Sequence, residues 1–154
     1  MNLLQQILWG SLFMAVCLVL EVLLLVICTL YLRRRTVRWQ TLHASLRHGV
    51  PMLVAMGFVV LTHTIQVWIW AAAFIHFDVL TDWNTSLYFS MVTYTTLGYG
   101  DIVVGEHIRI FGTFASVAGL LAFGLSTAYL VALMSRILKD DEVLEYRRKQ
   151  PRNR

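Results

Sequence analysis

Charge is scarce in this chain of 154 residues: 14% are Asp, Glu, Lys or Arg, 58% are hydrophobic, and mean hydropathy is +0.65. Ordinary soluble domains carry about a quarter charged residues. So short a chain cannot hide that apolar excess in one water-soluble core, which argues against a soluble enzyme. The wealth of aliphatic and aromatic residues equally excludes disorder. Cysteine is almost missing. Cys17 and Cys28 make neither a disulfide framework nor a metal cluster. On one helix they would share a face about 16 Å apart, too far for a bridge. Of two prolines, Pro51 suits the first turn of a helix and Pro151 falls in the tail. There is no internal repeat, no low-complexity segment and no arginine ladder, and no apolar stretch holds a nucleophile–base set or metal-ligand spacing.

What the chain does have is three long apolar stretches, Leu3 to Leu32, about Val50 to Phe77 and about Ile108 to Leu138. Each exceeds the roughly 20 residues a helix needs to cross a bilayer core. The first is not a signal peptide by pattern: no positive charge precedes it, Arg33-Arg34-Arg35 follows it, and no small-residue cleavage site intervenes. Of 13 basic residues, 12 lie in 33–47 or from Arg136 onward, with Arg109 the exception. Basic residues gather beside cytoplasmic helix ends, so the N-terminus is expected outside and the C-terminus inside. The net charge of +4 is then topological, with anionic lipid as its partner and no nucleic acid. Trp39, Leu42 and Leu46 share a face, as in a short helix lying on the inner surface. Trp68 and Trp70 read as interfacial anchors. The chain divides into an extra spanning helix (1–32), a basic interfacial linker (33–49), a pore module (50–138) and a charged tail (139–154).

The chemistry lies between the second and third stretches. Asp82 can cap a helix over 83–95 that is too short to span and must dip in and return, which is tolerated only where protein or water surrounds it. Then comes Thr96-Leu97-Gly98-Tyr99-Gly100. A potassium ion in a narrow pore needs its water shell replaced by fixed oxygen dipoles. Successive carbonyls can aim at one axis if the backbone alternates in handedness, and glycine visits the left-handed region freely, hence Gly98 and Gly100. The Thr96 hydroxyl can add to its carbonyl, and the helix C-terminus supplies partial negative charge. Asp78, Asp82, Asp101 and Glu106 make the mouth acidic, which concentrates cations.

Thr95 to Asp101 resembles the selectivity-filter signature of potassium channels, and 50–135 resembles the helix–pore–helix module of simple bacterial potassium channels. Ala118 to Ala128 is similar to the inner helix of that family. The resemblance implies an all-α membrane protein: three transmembrane helices (outer helix 50–77 and inner helix 108–138 among them), a re-entrant pore helix (83–95) and a filter (96–100). It implies four chains per pore, a homotetramer, in a bacterial inner membrane. It also implies that K+ is the permeant ion, with no other cofactor, held by the carbonyls of Thr96, Leu97, Gly98 and Tyr99. Thr95, Tyr88 and Asp101 would support the filter and its mouth. Gly119 matches a gating hinge, and Leu120, Phe123 and Thr127, which share one helical face by spacing, match cavity-lining positions. For Gly119 close packing is as good a reading as hinging, and for Gly124 packing is the better one. Leu97 departs from the commoner valine. Val92 stands where a well-known member has a glutamate, so a carboxyl pair with Asp101 is absent, and Tyr88 can hydrogen-bond Asp101 instead.

Counting along antiparallel helices puts Glu21 and His63 at one depth, with Thr62 and Gln66 nearby. Ionisable residues inside a span are functional candidates. The plainer reading is a buried Glu–His or Glu–Gln bond locking the extra helix to the pore module; the sharper one is pH sensing. The run from Asp140 to Lys149 can extend the last helix with i,i+4 charge pairs. The expected function is passive potassium conduction. A nonselective cation channel of the same architecture is the alternative, and an ion-transporter subunit or a membrane enzyme fits less well.

Overall fold

The structure, a computed structural model, describes residues 1–39 and 44–149. Four helices follow in order: α1 (Leu3–Trp39), α2 (Ala44–His76), α3 (Trp83–Tyr94) and α4 (Arg109–Lys149). Three contain stretches long and apolar enough to cross a membrane, Leu3–Arg35, Gly49–His76 and Arg109–Lys139. The 12 residues of α3 span about 18 Å and cannot cross. The architecture is an all-α membrane protein.

Helix ends depart from the expectations in two places. Pro51 lies well inside α2, which begins at Ala44. The proline N removes one bond to the carbonyl of Arg47, yet ending the helix in an apolar setting would orphan several backbone groups, so the helix runs through. The surface helix expected around Trp39, Leu42 and Leu46 is not a separate element. Trp39 ends α1 and Leu46 lies in α2, while Leu42 is outside the described residues. At the other end α4 continues to Lys149.

In lipid the apolar effect does little to hold helices together, so close packing, ring geometry and hydrogen bonds decide how they meet. α1 packs on α4 and α2, and α3 sits against α2 and α4. At the end of the bundle next to α3 the contact is aromatic. Phe13 of α1 meets Phe111 of α4 edge-on at 5.9 Å, and Phe74 of α2 meets Phe89 of α3 at 5.0 Å; such pairs contribute about 1 kcal/mol each beyond area. Trp70 belongs to this layer and is fully buried, not at an interface as its position suggested. Trp68 is 48% exposed. The far end mixes small and aliphatic side chains with Phe58: Cys28, Leu32 and Ala55 pack against Phe58 and Leu130, and Thr29 donates to the Tyr129 hydroxyl at 3.1 Å.

Gln6 ties α1 to α4. Its Oε1 accepts the N–H groups of Ile110 (3.2 Å) and Phe111 (3.4 Å), two of the four N-terminal donors of α4 that have no partner within their own helix. A residue that reads in sequence as an interruption of an apolar run is a cap supplied by another helix.

Candidate ion-conduction site

The site begins with the cap of α3. Asp82 sits extended (φ −132°, ψ 154°) and its carboxylate accepts the Thr85 N–H at 2.9 Å. Hydrogen bonds from Thr85 hold this carboxyl below the usual aspartate range, so it caps in its charged form next to the positive end of the helix dipole. The body of α3 is pinned from both sides. Ser90 donates to the Val67 carbonyl of α2 at 2.7 Å, and Ser116 of α4 donates to the Thr93 carbonyl at 2.9 Å.

Beyond Tyr94 the chain stops being helical in a defined way. Thr95 caps α3 and its hydroxyl donates back to the Met91 carbonyl at 2.7 Å. The N–H groups of Leu97 and Gly98 both reach the Val92 carbonyl, at 3.0 and 3.2 Å. From there alternate residues are left-handed: Thr96 at φ 59°, Gly98 at φ 56° and Gly100 at φ 77°, with Leu97 and Tyr99 between them at negative φ. Alternation of this kind turns successive carbonyls the same way, where a helix or strand would send them along its axis or to opposite sides. Gly98 and Gly100 adopt it freely. Thr96 does not. A β-branched residue in this region is an outlier that costs about 1–3 kcal/mol, and the glycine pattern does not announce it. In the protomer the side chains of Leu97 and Tyr99 are 55% and 67% exposed, so the segment has an open side.

One bond braces the loop: the Tyr88 hydroxyl donates to Asp101 Oδ2 at 2.6 Å. It holds the Asp101 carboxyl below the usual aspartate range and pushes the phenol up. Val92 is buried under the loop. Glu106 and Arg109 form an exposed pair at 3.6 Å.

On α4, Leu120, Phe123, Gly124 and Thr127 are all exposed in the protomer, opposite the buried Ala115, Ala118 and Ala122. They leave one face of the helix free beneath the loop. The two glycines do not behave alike. A Cβ at Gly119 would collide with the Tyr94 carbonyl oxygen, whereas one at Gly124 meets nothing within 4 Å. Close packing therefore belongs to Gly119, and within the protomer Gly124 has none.

Glu21 and His63 lie at the same depth but do not touch directly. Glu21 Oε2 accepts from Gln66 at 2.7 Å and Oε1 from Ser126 at 2.5 Å. His63 reaches the group through Ser126, at 3.2 Å from Nε2, and through the Tyr94 hydroxyl, at 2.9 Å from Nδ1. Tyr94 in turn donates to Gln66 Oε1 at 3.0 Å. Ser126 and Tyr94 were missed in the sequence, because depth along a helix can be counted but rotation about its axis cannot. Thr62, also expected near, instead donates to the Phe58 carbonyl of its own helix at 2.8 Å.

A 12-residue helix too short to span, followed by an alternating loop, lies between two helices long and apolar enough to cross a membrane. The family model described as "Ion channel" matches residues 53–136, more than half of the chain, from Leu53 in α2 to Arg136 in α4. The chain belongs to that ion channel family. Curated relatives include the A-type voltage-gated potassium channel KCND3 of Rattus norvegicus and of Homo sapiens, each 30% identical over 106 residues. The match covers 64% of this chain and only 16% of each relative. No solved structure matches the chain.

Proposed function

We propose that the chain is one subunit of a potassium-selective channel that conducts K+ passively across a membrane. The observation that carries this reading is the left-handed backbone at every second residue, Thr96, Gly98 and Gly100. The carbonyls of Thr96, Leu97, Gly98 and Tyr99 then replace the water shell of the ion, with the Thr96 hydroxyl adding a further oxygen. One chain supplies one such strand, so a closed ring of oxygens calls for copies related by rotation; four complete it, a homotetramer. The free face of α4 at Leu120, Phe123 and Thr127 lines the water-filled cavity beneath, with Gly119 and Gly124 on the same helix. Asp101, held ionised by Tyr88, and its acidic neighbours draw cations to the mouth. The name of the KCND3 relatives points to the same ion. The basic residues around Arg33–Arg35 and from Arg136 onward set the N-terminus outside and the C-terminus in the cytoplasm, in the inner membrane of a bacterium as the resemblance implies, beside anionic lipid.

The test is the reversal potential of the purified full chain in a planar bilayer, with potassium on one side and sodium on the other. A value close to the potassium equilibrium potential is expected. Clear current reversing near zero would replace potassium selectivity with a nonselective cation pore, and no current would overturn the channel reading.

A further inference from the structure

The polar group around Glu21 closes on itself. Starting from Glu21 on α1, hydrogen bonds run to Gln66 on α2, to Tyr94 at the end of α3, to His63 on α2, to Ser126 on α4 and back to Glu21. All four helices contribute, and Glu21, Gln66, Tyr94 and Ser126 are buried. Tyr94 is the last helical residue before the alternating segment, and its carbonyl is the group pressed against Gly119. The ring thus ends at the base of the filter, and it starts on a helix that the pore module does not need.

Five bonds need five hydrogens. Gln66, Tyr94 and Ser126 give one each, so His63 and Glu21 must bring two between them. Two arrangements do so. In one, His63 is an imidazolium donating from both nitrogens and Glu21 is a carboxylate accepting twice. In the other, the Nε2 proton has passed to Ser126 Oγ while the Ser126 proton has passed to Glu21 Oε1, leaving both groups neutral. All five bonds survive in either. Removing one proton leaves a bond without a donor and a buried negative charge; adding one sets two donors against each other beside a buried positive charge. Both are costly inside a membrane.

We propose that this ring positions Tyr94, and with it the foot of the filter, and that it does so only while it holds two shared protons. The inference rests on the channel reading above. The titratable groups facing the ring are Glu21 and Cys17 from α1, His63 from α2 and Tyr94 from α3. From α4 the ring meets the neutral Ser126 and the apolar ring of Phe123, which packs on His63 and Tyr94; the charged residues of that helix lie at Arg109 and from Arg136 onward. Potassium flux then passes through a maximum as pH is varied. On either side the lost bond, worth about a kcal/mol net, lowers the well-positioned population about fivefold.

Two near-isosteric variants divide the profile. In Glu21→Gln the new amide donates to Ser126 and accepts from Gln66, so the ring stays closed with neutral His63 and the alkaline fall disappears. In His63→Gln nothing is left to gain a proton on the acid side, so the acid fall of the ring disappears while the alkaline one remains. Tyr94→Phe, which opens the ring at the filter, lowers flux at every pH and flattens both limbs.

The measurement is potassium flux from phosphatidylcholine vesicles holding the full chain, from pH 5 to 9. Gel filtration of each variant checks that assembly is unchanged. One-sided profiles of opposite hand for the two variants support the ring. A flat wild-type profile, or variants that both follow the wild type, overturn it. A wild type that passes no potassium at any pH overturns the channel reading instead. The same variants are then compared by thermal unfolding against pH, where the ring again predicts opposite one-sided profiles and coincident curves overturn it.

Discussion

Gly119 is the residue at which a single methyl group separates two roles. If it serves as a flexible joint in α4, alanine stiffens the helix and stabilises it by about 1 kcal/mol, the ordinary difference between the two residues in a helix interior. The structure gives the opposite sign. The added Cβ would overlap the Tyr94 carbonyl oxygen and approach the ring carbon Cγ to 3.1 Å. Because the obstacle is backbone, it cannot be relieved by turning a side chain; α4 and the C-terminus of α3 must separate. Overpacking of this kind costs about 1–3 kcal/mol, with a rigid obstacle at the upper end. Set against the helix gain, the net loss is about 1–2 kcal/mol. It falls at the base of the filter, so potassium flux drops with it. The assay is thermal unfolding of the detergent-solubilised protein beside Gly124→Ala, whose Cβ meets nothing within 4 Å and which is expected to match or exceed the wild type. A Gly119→Ala protein that melts at or above the wild-type temperature would refute the close approach and restore the joint.

Three further expectations follow from particular contacts. Gly98→Ala and Gly100→Ala force a Cβ into φ 56° and 77°, about 1–2 kcal/mol of strain each; the reversal potential should move toward zero before melting temperature changes much. Gln6→Leu leaves the Ile110 and Phe111 N–H groups without their acceptor and should lower stability by about 1–2 kcal/mol, while Gln6→Glu keeps an acceptor at the helix N-terminus and should lose less in the same unfolding assay. Tyr88→Phe removes the donor that holds Asp101 below the ordinary aspartate range. The contribution of a carboxyl lowered in this way is present above its unfolded value and lost as pH falls through the folded one. Flux through the variant should therefore begin to fail at a higher pH than wild type on acid titration.

Much of the architecture is legible because membranes impose simple rules. Apolar run length reveals α1, α2 and α4, and Asp82 with the short polar segment after it reveals α3. Gly98 and Gly100 reveal two of the three left-handed positions of the alternating segment. Thr96 escapes because nothing in a threonine announces positive φ; its conformation is enforced by neighbours on both sides. Pro51 misleads for a related reason, since the rule that proline starts helices assumes water will satisfy a helix that stops. The partners of Glu21 mark the boundary most clearly. Counting residues from a shared end gives the depth of Gln66 and His63 correctly. Which of them touches the carboxylate, and that Ser126 fills the gap, depends on helix rotation set by Ala118, Gly119 and Ala122 packing closely enough to bring α4 in.

The closed ring also bears on how the protein is made. A carboxylate near the middle of a single spanning helix raises the free energy of its insertion by about 3 kcal/mol, which the surrounding Leu, Ile and Val of α1 offset. Because α1 precedes α2 and α4 in the chain, it enters the bilayer with an acid that has none of these partners yet. Gln66 follows 45 residues later and Ser126 only after 105. Until α4 arrives, Glu21 lacks the Ser126 donor, so the ring closes only when all four helices are in place.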